Sequence, residues 1–472
     1  MRSLDITKLQ RYSLHRLIIV FSLLFFLFIS INSISAYISN TYKNHYASRI
    51  EINLISSSVN EKDLITAGDI EDLAMAFPNG SISYMNQSDS IIEANNAIFP
   101  IKTVSSGENL ERFLGLDILR GCFFNSEQYQ YGNKVAVISD TLAYKLFTTH
   151  NIIGNEIYIS GVKYRIIGLY KSKSSLLSVL SSDGSERVYI PFNSMTNISS
   201  EALNTVFIKD DSLKDKPFRV HTIEETLKEC LRMEPNLYRI NDFNDSSIYT
   251  AQPLFLFVFL VGVLLICLII KYLIKYLTFG YFNLKSGLKN NYFIQLMIKW
   301  KLRIPLFIIG AALILLIIGI TFSTIKFKGT IPAEYIPVDN IFDFGFYADK
   351  LKDAIYKLNS NVGYVPTQME ILFNYNLLVI YISTLLLLIN FIAAMSAIKL
   401  NKFFSDSIAD QMKAFAVLAA SILIGLALAF VICLACGIKY TIPVKEMIIL
   451  TVFFAIKLIN EDRIDSLKVR VL

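Results

Sequence analysis

The sequence predicts an α-helical membrane protein of about six spans, with one large α+β domain outside the bilayer inserted between the first and second transmembrane helices. Three observations predict it. Hydrophobic residues make up 53% of the 472 residues, and the mean hydropathy of +0.47 is high for a soluble chain of this length. Leu17–Ala36, Pro253–Ile270, Ile304–Ile325, Leu377–Ile398 and Ala414–Cys436 meet or approach the roughly 20 apolar residues that a bilayer core demands, and none contains a charged residue. Between the first two lies the long polar stretch Tyr37–Gln252.

Charge orders these segments. The net charge is +6, and its cations are sorted by topology rather than gathered for nucleic acid. Arg2, Lys8, Arg11 and Arg16 precede the first span. Lys271, Lys275, Lys285, Lys289, Lys299, Lys301 and Arg303 follow the second with no acidic residue among them, and Lys399, Lys402 and Lys413 follow the fourth. Cytoplasmic loops collect Lys and Arg, so these three segments are expected inside. Residues 1–16 are then a cytoplasmic N-terminus, 17–36 the first span and 37–252 the outer α+β domain. Residues 253–410 form a membrane domain with spans at 253–270, 304–325 and 377–398, an inner segment 271–303 and an outer loop 326–375. Residues 411–472 supply a further transmembrane pair and a cytoplasmic tail. The second of that pair, Met447–Ile456, is short and flanked by Lys445, Glu446 and Lys457; spanning with snorkelling lysines is the expected arrangement, and lying in the interface is the alternative. Ser35-Ala36 offers small residues for signal cleavage, but the apolar run before them exceeds the ~7–15 residues of a signal core, so a retained anchor is expected.

Within the outer domain, Lys134–Ile138 reads as a strand and Ser139-Asp140 as the cap of a helix Thr141–Phe147. Gly154 precedes a hairpin, Glu156–Ile159 and Lys163–Leu169, turning at Gly161. Arg187–Ile190 and Asn204–Ile208 are further strands, and Thr222–Met233 is a helix with Ile223, Leu227, Cys230 and Leu231 on its core face. Ser172–Ser185 reads as a Ser-rich loop.

Much chemistry is excluded. There is no glycine-rich phosphate loop ending in Gly-Lys-Ser or Gly-Lys-Thr, so no ATP site of that kind. The five long apolar stretches hold none of the ionisable groups that a proton-coupled carrier keeps in the bilayer. His15, His45, His150 and His221 lack ligand spacing, and Cys433 and Cys436 read as small packing residues in a membrane helix. The chain is expected to be no enzyme and to hold no metal or cofactor; its energy source is expected on a second polypeptide.

Four blocks follow one another in order: GCFF at 121–124, KVAVISDTLAYKLF at 134–147, NIIGNEIYISGVKYRIIGLY at 151–170 and RVYIPF at 187–192. Together they resemble the extracytoplasmic core domain of MacB/FtsX-type ABC transporter permeases, over roughly residues 75–210. The resemblance implies a permease subunit in a bacterial cytoplasmic membrane. It would work with a cytoplasmic ABC ATPase subunit and a second permease copy or paralogue. The expected role is export or extraction of a peptide, antibiotic or lipoprotein-like substrate; the alternative is an FtsX-like regulator of a cell-wall hydrolase or signalling system.

The resemblance also places an ATPase-coupling segment after the second span, carried here by Phe279, Gly280, Tyr281, Phe282, Lys285, Gly287, Lys289, Tyr292 and Phe293. Gly280 and Gly287 approximate the family's glycine positions, whereas its acidic residue is missing near Phe279. Aromatics suit an interface, and aromatics with lysines suit anionic headgroups, so a membrane-surface helix is the competing reading. Members of the family end near Ala394–Leu400, and Lys413–Leu472 is an addition. Its first helix carries Ser421, Gly425 and Ala429 four residues apart, a small-residue face suited to close packing within the subunit or against a partner. Single cysteines at Ser185 and Ser286 test the topology: an impermeant thiol reagent on intact cells should label the first and spare the second, and equal labelling overturns the topology.

Overall fold

A computed structural model of the chain describes residues 2–44, 49–55, 65–172, 183–195, 203–210, 219–231, 238–242, 250–290, 292, 301, 303–324, 342–359, 366–404 and 407–459. In chain order, helix α1 (Arg2–Asn44) leads to strand β1 (Arg49–Leu54), α2 (Asp69–Ala76) and the long hairpin β2 (Ser81–Ala94) and β3 (Ala97–Ser106). Then come α3 (Leu110–Leu114), β4 (Ile118–Gly121), α4 (Ser126–Gln130), β5 (Val135–Ser139), α5 (Asp140–Phe147), β6 (Glu156–Ile159) and β7 (Val162–Tyr170). β8 (Glu186–Pro191), β9 (Thr205–Lys209), α6 (Arg219–Leu231) and β10 (Tyr238–Asp242) complete the polar stretch. The apolar half holds α7 (Gln252–Asn290), α8 (Arg303–Thr324), α9 (Phe344–Asn359), α10 (Gln368–Phe404), α11 (Ile408–Cys436) and α12 (Val444–Leu458).

The chain divides into two compact units, a helical one (1–36, 251–329 and 379–472) and an α/β one (37–250 and 330–378). The segment expected to be a free outer loop, 326–375, thus contributes to the α/β unit.

Ten strands of the α/β unit make one sheet in the order β10-β1-β9-β2-β3-β8-β5-β7-β4, with β6 pairing both β2 and β7. The pairing path β2-β3-β8-β5-β7-β6 therefore closes on itself. β3/β8 and β5/β7 are parallel; the other pairs are antiparallel. Local chemistry explains the elements. Ser139 caps α5, its hydroxyl accepting from Leu142 N at 3.1 Å. Ser160 and Gly161, both at positive φ, turn β6 into β7, and Asn95-Asn96 do the same between β2 and β3. Two consecutive left-handed residues match the twist of a two-residue hairpin. The first of these hairpins was legible in the sequence; the second, with its polar strand β2, was not. Cys230 also departs from expectation. It is exposed, while Ile223 and Leu227 of α6 are buried with Leu73 of α2 beneath β1, β9 and β10. Most of the stretch expected as a Ser-rich loop, 173–182, lies outside the described residues.

All six residues of β1 are buried. Ile50, Ile52 and Leu54 enter the core with α2 and α6. The opposite face carries Arg49, Glu51 and Asn53, with Arg49 and Glu51 2.9 Å apart.

Among the described residues, five helices are long and apolar enough to cross a membrane: Lys8–Asn40, Gln252–Lys289, Ile304–Ser323, Gln368–Phe403 and Ile408–Cys436. This is a multi-pass membrane protein. The sixth apolar segment forms α12, but its 15 residues reach only about 22 Å, short of a ~30 Å hydrocarbon core. The helical unit is organised on α1. Phe21 meets Phe454 of α12 at 5.0 Å and Phe28 meets Phe257 of α7 at 6.3 Å between ring centroids. Asn390 of α10 donates to the Val20 carbonyl at 2.9 Å. Asn32 donates to Thr441 Oγ1 at 3.0 Å, and Thr441 N donates to Ser33 Oγ at 3.2 Å.

Gly121 ends β4 at φ +71°, and a Cβ there would overlap the Ile167 carbonyl oxygen of β7. Gly161, at φ +81°, has nothing within 4 Å of an added Cβ. Gly121→Ala should therefore destabilise the protein by about 3 kcal/mol and Gly161→Ala by about 1 kcal/mol in thermal or denaturant unfolding.

Candidate functional site

Seven of the nine residues expected to couple to an ATPase fall on one helix. α7 continues without a break for 39 residues, about 58 Å at 1.5 Å per residue. The span and most of the inner segment 271–303 are thus a single rod. Phe279, Gly280, Tyr281, Phe282, Lys285, Gly287 and Lys289 all lie between Phe279 and Asn290, at its end.

This end of α7 has two faces. Tyr276 and Gly280, one turn apart, meet α8. The Tyr276 ring stacks on Phe307 at 4.5 Å with 10° between planes, and its hydroxyl donates to the Phe307 carbonyl at 3.2 Å. Gly280 is buried under the same Phe307 ring, where any side chain would collide with it. Gly310 of α8 lies in turn against the Tyr276 hydroxyl and has no room for a Cβ. Each aromatic ring thus sits over a glycine of the opposite helix. Gly287, seven residues on from Gly280, lies on the same side of α7 and is half-buried.

The other face is exposed among the described residues. Tyr281, Lys285 and Lys289 follow at steps of four, so they line one stripe. Tyr281 is 60% and Phe282 62% exposed. Their rings meet edge to face at 5.9 Å, and Lys285 Nζ lies 5.9 Å from the Tyr281 ring centroid. Phe279 is exposed at the edge of this stripe, and Tyr292 beyond the helix is exposed as well. Phe293 lies outside the described residues. Gly280, expected on the coupling surface, is turned toward α8 instead. Tyr276, Phe307 and Gly310, which hold the helix pair, were not among the expected residues. The Tyr-x-x-x-Gly spacing was their only local signal.

The small-residue stripe on α11 packs inside the subunit. Ser421, Gly425 and Ala429 are buried together with Ala414, Leu418 and Cys433. A Cβ on Gly425 would stand 2.8 Å from Phe25 Cβ, 3.0 Å from the Ser22 carbonyl oxygen and 3.1 Å from Phe26 N. The backbones of α11 and α1 therefore touch at Gly425, and Ser421 Oγ reaches the Ile18 carbonyl at 3.5 Å. The addition to the chain thus covers α1 of the same molecule.

Gly425→Leu should push α11 off α1 and lower stability by roughly 1–3 kcal/mol. Gly319→Leu, at a position with open space around it, should change little. Reactivity of buried Cys433 toward a thiol probe in detergent checks both, rising only in the first variant.

Comparison with known proteins bears on what these parts belong to. Residues 17–216 match the MacB-like periplasmic core domain. The uncharacterized ABC transporter permease YknZ of Bacillus subtilis (strain 168) is 33% identical over 101 residues, which are 21% of this chain and 24% of that protein. The match thus spans about a quarter of the curated relative's length. Among solved structures, the periplasmic region of MacB from Actinobacillus actinomycetemcomitans aligns at 16% identity over 45% of this chain and 96% of that one, with a TM-score of 0.36. The extracellular domain of the noncanonic ABC-type transporter YknZ from Gram-positive bacteria aligns at 17% identity over 41% and 99%, with a TM-score of 0.32. Residues 17–216 are thus a MacB-like core domain by family match, and over 101 residues the chain is similar to an ABC transporter permease.

Proposed function

We propose that this protein is the membrane subunit of an ABC transporter of the MacB/FtsX type, in a bacterial cytoplasmic membrane. A separate cytoplasmic ATPase supplies the energy, and a second copy or a paralogue completes the assembly. The α/β unit stands outside the cell membrane, and the lysine-rich end of α7 points inward. The work done is export or extraction of an amphiphilic cargo such as a peptide, an antibiotic or a lipoprotein.

The observation that carries this reading is the form of α7. An apolar span runs without a break into an exposed aromatic and cationic stripe, while its opposite face is locked to α8 by the Tyr276–Phe307 stack. A rod of this kind converts a push on its exposed end into movement of the span. Tyr281 and Phe282 supply the large, stiff contact area that dominates interface energies, and Lys285 and Lys289 favour an acidic counterpart. The apolar character of the spans also fits movement of helices better than passage of solutes through a polar pore.

Phe279→Ala with Phe282→Ala tests the assignment. Loss of an interface hot spot weakens binding by ~2 kcal/mol or more, so the pair together should weaken ATPase association by roughly a thousandfold. The expected result is loss of co-purifying ATP hydrolysis with unchanged membrane insertion. Undiminished co-purification would make the stripe a membrane-surface feature and overturn the coupling role.

A further inference from the structure

The inner face of β1 is built in a way that stability alone does not explain. Arg49 is 2% and Glu51 0% exposed, and they face one another at 2.9 Å. Burying an ion pair costs several kcal/mol per ion, and well-packed apolar residues do as well or better at such places. Burial pushes the Glu51 carboxyl above the usual carboxylate range, and neighbouring Arg49 pulls it back only in part.

The partners of this pair lie on the first turn of α10. Thr367 Oγ1 donates to Glu51 Oε2 at 2.8 Å. The same hydroxyl accepts from Glu370 N at 3.2 Å, so Thr367 both caps the helix and binds the strand. Glu370 is 3.3 Å from Arg239 of β10, which pairs with Asn53 of β1 across the ladder. Arg49 in turn donates to the Phe113 carbonyl and lies 6.0 Å from the Phe207 ring. The start of α10 is thus held at two points on two adjacent strands, by a hydrogen bond to a carboxyl group and by an ion pair. Met369, Leu372 and Phe373 bury the apolar side of the same turns. Gln368–Leu378 belongs to the α/β unit, and the same 37-residue helix continues from Val379 in the helical unit as the fourth candidate span.

We propose that Glu51 and Thr367 are positioning residues that lock the first turn of α10 on β1 at one height and one rotation. Apolar contacts are non-directional, so a helix held by them alone can slide or roll on a sheet. A charged hydrogen bond is directional, and a shifted register would leave a carboxylate buried and unpaired. Intermediate positions are therefore disfavoured, much as a buried polar residue fixes the register of a coiled coil. The use of this lock rests on the permease reading: displacement of the fourth span then reaches the sheet instead of being lost to slippage. The lock itself does not depend on that reading.

The test uses the full chain in detergent, with Thr367→Val removing the hydroxyl, Thr367→Ser keeping it and Glu51→Gln removing the charge. Amide exchange over Gln368–Leu372 should speed up by about tenfold in Thr367→Val and remain near wild type in Thr367→Ser. Because the two side chains act through one contact, the double variant Glu51→Gln/Thr367→Val should show the larger single effect, not the product. Spin labels at Ser88 and Asn374 should give one narrow distance distribution in the wild type and Thr367→Ser. Thr367→Val should add populations displaced by up to one helical turn, about 5.4 Å. A single wild-type distance in Thr367→Val, or multiplying effects in the double variant, overturns the proposal. So does loss of exchange protection in β5 and β7, because the contact would then be needed for the whole fold. Neither readout involves ATP: failure of the transport reading would appear as absent ATPase association with the lock intact.

Discussion

The close approach of α11 to α1 at Gly425 is the contact on which the helical unit depends. In a bilayer there is no hydrophobic drive to bring helices together, so contact depth and polar pairing decide which surfaces meet. Gly425 lets two backbones touch where a single methyl group would collide with Ser22, Phe25 and Phe26. That seat brings Phe21 against Phe454, and α1 becomes the element that α7, α10, α11 and α12 share. The aromatic chain Phe28, Phe257, Phe391 and Phe453 then runs across four helices with centroid spacings of 6.3, 5.6 and 5.7 Å.

Polar groups in this unit serve the same end. Asn390 spends its amide on the Val20 carbonyl, and Asn32 and Ser33 hold the turn at Thr441. Such bonds contribute about 0.6 kcal/mol each on average, yet in hydrocarbon an unpaired amide is costly enough to exclude other arrangements. The last two helices thus have a physical role. They enclose α1, whereas α8 leaves nearly all of its apolar surface uncovered.

The two units use charge in opposite ways. At the end of α7, lysines and aromatics stand exposed, where ionic contacts are weak singly and act through partner choice. On β1, Arg49 and Glu51 are fully enclosed, where a charge without its partner is strongly penalised. The first arrangement suits a surface that another subunit can reach, and the second suits a joint that must keep one geometry.

Much of this was legible in the residues. Apolar length located five candidate spans, because a bilayer imposes a minimum on any helix that crosses it. Val135–Ser139, the Ser139 cap and the hairpin at Gly161 were also visible, since each rests on neighbours within a few positions. Small residues at 421, 425 and 429 announced a packing face. What the sequence left open was decided by groups far apart in the chain. Whether α11 met α1 or another molecule depended on Phe25, some four hundred positions away. The inner segment continues the helix of the second span as far as Asn290, and Phe307 and Gly310 of α8 pack against it. Nothing in the residues around β1 marked its charged face as buried; Thr367, more than three hundred positions away, closes it. Local propensity and hydropathy are written along the chain, whereas the burial that turns a glycine into a contact or a glutamate into a lock exists only once distant segments have packed.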